Sequence, residues 1–91
     1  MSLSLILCSN LADADSAYTA LQAGTNFETV VKKYSISPSA EKGGNLGAID
    51  VHMYGDEIQD ALKSLKPGEY THPISFGQNY VIYKRMAAEN M

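Results

Sequence analysis

The segment Tyr80-Val81-Ile82-Tyr83 places the strongest constraint on the fold. Four consecutive β-branched or aromatic residues favour an extended strand over a helix, and Asn79 to Arg85 reads as one strand. A second apolar run, residues 3–8, lies at the other end of the chain and is bounded by Ser9-Asn10. Its shortness and its polar boundary mark a buried strand. A chain with such segments near both ends must build a sheet, and what lies between them decides the class.

The intervening residues repeat at helical spacing. Asn10 caps a first helix, and Leu11, Ala14, Ala17, Tyr18 and Leu21 form its apolar stripe, ended by Gly24. Thr25 and Glu28 fit a capping box for a second helix carrying Phe27, Val30, Val31 and Tyr34, with Lys32 and Lys33 near its negative end. Residues 35–47 read as the longest loop, with Gly43, Gly44 and Gly47 in it, and a brief strand from Leu46 to Val51 follows. Ile58, Ala61, Leu62 and Leu65 mark a third helix. Lys66-Pro67-Gly68-Glu69 suits a type II turn, and Glu69 to Ile74 reads as a strand joined to the last one through residues 75–78. The order β-α-α-β-α-β-β predicts an α+β domain with a small, mainly antiparallel four-stranded sheet flanked by helices.

The chain has 91 residues, room for one domain. Residues 4–86 are read as that domain, with 1–3 as an added start and 87–91 as a C-terminal tail. A net charge of -3 argues against a general nucleic-acid binder, which needs a basic stripe. A single cysteine, Cys8, excludes an internal disulfide and any multi-cysteine zinc site. No apolar run reaches the roughly 18–20 residues of a membrane span, and no signal peptide is visible.

The residues that could carry chemistry have ordinary explanations. His52 and His72 lack ligand spacing and read as exposed. Cys8 reads as a buried structural thiol. Gly43-Gly44-Asn45-Leu46-Gly47 lacks the Lys-Ser/Thr of a phosphate loop, and Asp13, Asp15, Asp56, Glu57 and Asp60 read as capping or solvated groups. Neither a metal nor a cofactor is expected.

One longer pattern is more specific than its parts. The stretch LQAGTNFETVVKKYSISPSAEKGGNLG resembles the parvulin-type peptidyl-prolyl isomerase family, through Leu21, Gly24, Phe27, Ser35, Ser39, Gly43, Gly44, Leu46 and Gly47. Leu65 to Glu69 match that family's L-K-P-G-E turn, and Pro73, Tyr80, Ile82 and Lys84 match its closing segment. The resemblance implies a parvulin fold and an unfolded or proline-containing polypeptide as partner. It also implies a location outside the cytoplasm as part of a longer protein, as in bacterial foldases, with a cytoplasmic location as the alternative. For the active site it implies two histidines on neighbouring strands, a Cys or Asp beside them, and a Met/Phe pocket for proline.

Here those positions carry other residues. The histidine positions are Leu5 and Val81, and the Cys/Asp position is Ser37. The pocket Met falls on Tyr54, or on Met53 with a one-residue shift, the pocket Phe falls on Ile58, and a second aromatic falls on Gln78. The substrate-binding expectation is therefore Leu5, Ser37, Met53, Tyr54, Ile58, Gln78 and Val81, with Ser37 the only candidate catalytic group. A peptide-binding, chaperone-like domain with weak or no isomerase activity follows. The alternatives are a working isomerase using Ser37 and Tyr54, and a structural spacer or dimerisation module. Lys42 stands alone in its loop, poor ground for a phosphate-reading site.

Overall fold

A computed structural model describes residues 2–86; the expected tail at 87–91 lies outside the described residues. The elements are β1 (Ser2–Cys8), α1 (Leu11–Gln22), α2 (Phe27–Tyr34), β2 (Asn45–Ala48), α3 (Asp56–Lys63), β3 (Ile74–Phe76) and β4 (Asn79–Arg85). Two 3₁₀ turns, Pro38–Lys42 and Val51–Met53, interrupt the loops. The four strands lie in the order β2-β1-β4-β3, and every pairing is antiparallel. The first and last strands therefore pair at the centre, in a register running from Leu3 opposite Arg85 to Cys8 opposite Tyr80.

Central strands have two buried faces, and side chains alternate between them. Ile6, Cys8 and Ile82 pack against Ala14, Ala17 and Leu21 of α1 and Phe27, Val30 and Val31 of α2. The small alanines let α1 approach the sheet closely. Leu3, Val81 and Tyr83 lie in a second cluster with Ile58 and Leu62 of α3 and with Ile74. Burying one such aliphatic side chain contributes about 2 kcal/mol relative to leaving it exposed. The sheet is thus a middle layer between α1/α2 and α3.

Local hydrogen bonding refines the element boundaries. The N-cap of α2 is Asn26, whose Oδ1 accepts from Glu28 N at 2.8 Å, and not Thr25. Thr25 N still donates to Ala20 O at 3.0 Å, closing α1, so the next helix starts one residue later than the capping box predicts. The loop at 35–47 contains a 3₁₀ turn capped by Ser37, with Pro38 at its start. The second strand ends at Ala48, because Asp50 caps the turn Val51–Met53 through His52 N at 3.0 Å.

The expected strand Glu69–Ile74 is broken. Tyr70 makes an isolated bridge to Lys84, and Thr71 N donates to Tyr83 O at 2.8 Å. The return bond from Tyr83 N goes to the Thr71 side chain at 3.1 Å. Pro73 has no N–H to give, and the ladder resumes only at Ile74 opposite Val81. The turn into β4 is the two-residue Gly77-Gln78. The Lys66–Glu69 turn forms as expected, with Glu69 N donating to Lys66 O at 2.9 Å. No helix among the described residues is long and apolar enough to cross a membrane.

The loop between α2 and β2 is held along β1. Leu5 N donates to Gly44 O at 2.9 Å, Leu7 N to Ser35 Oγ at 3.1 Å, and Ile36 N to Leu7 O at 2.7 Å. Gly44 has φ +84, and a Cβ there would lie 2.5 Å from Leu5 O and 3.0 Å from Val31 Cγ2. Gly47 also has positive φ, +74, but nothing lies within 4 Å of an added Cβ. Gly47→Ala therefore measures backbone strain alone, about 1 kcal/mol. Gly44→Ala is expected to cost at least about 2 kcal/mol more, read as the difference in unfolding free energy in urea. Equal costs at the two positions would mean that the Gly44–Leu5 contact relaxes freely.

Candidate functional site: an apolar sheet face beside α3

Alternation places Leu5 and Leu7 of β1, and Val81 and Tyr83 of β4, on the α3 side of the sheet. Leu5 pairs with Tyr83 and Leu7 with Val81, so Leu5 and Val81 are one diagonal step apart. Ile58 of α3 belongs to the same cluster, and Leu46 and Tyr54 pack against it. The Tyr54 ring lies 5.6 Å from the Tyr83 ring, tilted by 42°. The Tyr54 carbonyl accepts from Gln59 Nε2, which ties the loop before α3 to that helix.

Four of the seven expected substrate-binding residues thus share one patch: Leu5, Tyr54, Ile58 and Val81. The other three lie apart from it. Met53 is 85% exposed in the 3₁₀ turn, so Tyr54 occupies the cleft side of that pair. Gln78 is exposed at the β3–β4 turn. Ser37 lies on the strap along β1, and its hydroxyl is engaged: it contacts Ser39 Oγ at 2.8 Å and accepts from Ser39 N at 3.2 Å. Leu7 and Tyr83 belong to the patch and were not among the expected residues. The two-residue period from Leu5 and from Val81 points to both.

The patch is poor in free polar groups. The Tyr83 hydroxyl is pushed well above the usual tyrosine range, chiefly by burial and then by the charge and hydrogen bonding of Tyr54, so it stays neutral. The histidines are elsewhere. His52 Nδ1 lies 3.0 Å from Asp50 Oδ1 on an exposed turn, and His72 stands edge-on to Tyr18 at 6.3 Å. That exposed pairing holds the Asp50 carboxyl below its usual value, mainly through the His52 backbone N–H. Among the described residues no group of three or more His, Cys, Asp or Glu could hold a metal.

The family described as Rotamase, PPIC-type PPIASE domain, matches residues 9–87. The chain belongs to the PPIC-type PPIase domain family. It is 39% identical to the periplasmic chaperone PpiD of Haemophilus influenzae over 74 residues, which is 80% of this chain and 12% of PpiD. It is 35% identical to the foldase protein PrsA of Bacillus subtilis over 81 residues, 88% of this chain and 28% of PrsA. The chain thus spans well under a third of these relatives. The crystal structure of Bacillus subtilis PrsA superposes on the whole chain and on 36% of PrsA, with TM-score 0.87 and 32% identity. NmPin, the parvuline of Nitrosopumilus maritimus, is similar over 96% of this chain and 95% of its own, with TM-score 0.77 and 34% identity. The PPIase-domain fold is therefore present from β1 to β4.

Cys8 lies on the opposite face, against α1, and is fully buried. Burial, and then the Asp13 carboxylate, push its thiol up to about 11, away from nucleophilic use. Below pH 9 the thiol is neutral in both folded and unfolded chains. Between pH 9 and 11 the unfolded chain loses the proton and the folded one keeps it, so stability falls as pH rises. The fall attributable to Cys8 is about 2 kcal/mol, and Tyr83 adds to it at higher pH. Urea unfolding at pH 8.5 and at pH 11 should show this drop reduced in Cys8→Ala; an unchanged drop would assign it to other groups.

Proposed function

We propose that this PPIase domain holds extended or unfolded polypeptide against the half-buried Leu5, Leu7 and Tyr54, which lie over the buried Val81 and Ile58, and accelerates prolyl rotation weakly or not at all. The observation that carries the reading is the diagonal neighbourhood of Leu5 and Val81 in one apolar patch with Tyr54 and Ile58. Rotation about an Xaa-Pro bond meets a barrier of about 18–20 kcal/mol, and no covalent bond changes. Acceleration requires groups that favour the twisted amide over the planar one. An apolar patch favours the less polar twisted amide only through desolvation, and without aligned hydrogen-bond donors it supports binding better than turnover. The Ser37 hydroxyl, occupied by Ser39, is a weak substitute for the family's histidines.

The partner in this reading is a polypeptide with apolar side chains, and proline is not required. The domain works as one part of a longer extracytoplasmic protein. The likeness to a periplasmic chaperone and to a foldase, each much longer than this chain, supports that placement.

A chromogenic Xaa-Pro peptide assay at micromolar domain tests the proposal. The expected rate is within about twofold of the spontaneous one for several residues before proline. Amide-shift titration with an extended apolar peptide should perturb Leu5, Leu7, Tyr54, Ile58 and Val81. Affinity should be similar with and without proline, and Tyr54→Ala should weaken it several-fold. A rate far above the spontaneous one, abolished by Ser37→Ala or Tyr54→Ala, would establish a working isomerase instead. No localised response in the titration would leave a spacer role.

A further inference from the structure

A second, chemically different pocket lies on the other side of the sheet. It has a volume of about 160 Å³, a size that takes a small ion and a few waters. Its floor is Ser4, which pairs with Asn45 of β2 on one side and Lys84 of β4 on the other. The start of α2 and the end of the Pro38–Lys42 turn close it, bringing in Asn26, Phe27, Glu28, Lys42 and Gly43.

Three features of this pocket point to a ligand. Ser4 is 2% exposed, and its hydroxyl has no hydrogen-bond partner among the described residues. A buried hydroxyl is nearly always satisfied by protein or by what fills the space beside it. Lys42 and Lys84 both line the pocket, and neither is within ion-pairing distance of a carboxylate among the described residues. The Lys84 ammonium is held 5.3 Å over the Phe27 ring, which fixes it at the pocket wall. The α2 N-terminus contributes its positive end through the lining residues Asn26, Phe27 and Glu28, and Phe27 N has no acceptor among the described residues. One group opposes: the Glu28 carboxylate also lines the pocket, beside Gly43. Two ammonium groups and a helix start outweigh it, leaving a net positive site with a hydroxyl donor at its base.

We propose that this pocket binds a small oxyanion, a carboxylate or a phosphate group. Lys42 and Lys84 supply the charge, Ser4 donates from the floor, and the Phe27 N–H at the start of α2 completes the shell. Glu28 holds the affinity down and makes the site responsive to the ligand's charge. In sequence Lys42 stands alone; the pairing of β1 with β4 sets Lys84 opposite Ser4, in the pocket that Lys42 also lines. The site is independent of the peptide-binding reading, because it faces α2 and the Leu5–Val81 patch faces α3.

The test is a ¹H–¹⁵N titration of the chain with sodium phosphate and, separately, sodium acetate, each against sodium chloride at matched ionic strength. Saturable shifts are expected at Ser4, Phe27, Glu28, Gly43 and Lys84, with millimolar dissociation constants. Tighter binding of phosphate assigns a phosphate group, and equal or tighter binding of acetate assigns a carboxylate. Lys84→Met, which keeps an apolar stem over Phe27, should weaken binding at least fivefold, and Ser4→Ala at least twofold. Glu28→Gln should tighten it several-fold, a gain that loss of folding cannot produce. Linear shifts equal to those in chloride, or affinities unmoved by Lys84→Met and Glu28→Gln, would overturn the proposal.

Discussion

The antiparallel pairing of β1 with β4 is the interaction on which the rest of the structure depends. It joins residues separated by nearly the whole chain, from Leu3 opposite Arg85 to Cys8 opposite Tyr80. Closing so long a loop carries a large entropic cost, and each backbone bond offsets little of it. The offset comes from burial on both faces. Ile6 and Ile82 are fully covered by α1 and α2, and Leu3 and Val81 by the α3 side. A slip of one residue would exchange these two sets, so the register is fixed from both sides at once.

Burial on two faces also explains how a family scaffold can carry an unusual site. The α1/α2 side packs Ile6 and Cys8 of β1, and the α3 side packs Leu3, with Leu5 and Leu7 half-buried beside it. Leu5 and Val81 then need no hydrogen-bond partners, whereas a pair of buried polar groups would need several. The apolar pair leaves no buried polar group without a partner on that face. Along β1, Ile6 and Cys8 serve the α1/α2 core while Leu3 and Leu5 serve the α3 side.

Periodicity made the strands and helices legible, because period two and period 3.6 are properties of local sequence. The stripe from Ala14 to Leu21 and the run from Tyr80 to Tyr83 both became what their spacing implied. The departures are places where a hydrogen bond had two claimants. Thr25 N is taken by the end of α1, so Asn26 caps α2. The Thr71 side chain takes the bond a strand carbonyl would have received, and Pro73 cannot repair the ladder. At the candidate site, Leu5 and Val81 follow from the family pattern, and Leu7 and Tyr83 follow from the two-residue period, whereas the pairing of Leu5 with Tyr83 and of Leu7 with Val81 needed the structure. Met53 and Tyr54 are neighbours in sequence, and which one packs against the cluster depends on a 3₁₀ turn held by Asp50.

The same register determines how the two sides of the molecule can be told apart. Ser4 and Leu5 are adjacent, yet one contributes to a polar pocket under α2 and the other to an apolar patch under α3. Gly44 stands between them: its carbonyl accepts from Leu5 N, and its α-carbon lies against the Leu5 carbonyl and the Val31 side chain of α2. A larger residue there would push the strap away from β1 and disturb both surfaces together. Substitutions of side chains at Ser4, Glu28 or Lys84 lack that reach, because each points to one face only. The close approach at Gly44 therefore serves the strand, and through it both surfaces, while the character of each surface is set by side chains that the other does not feel.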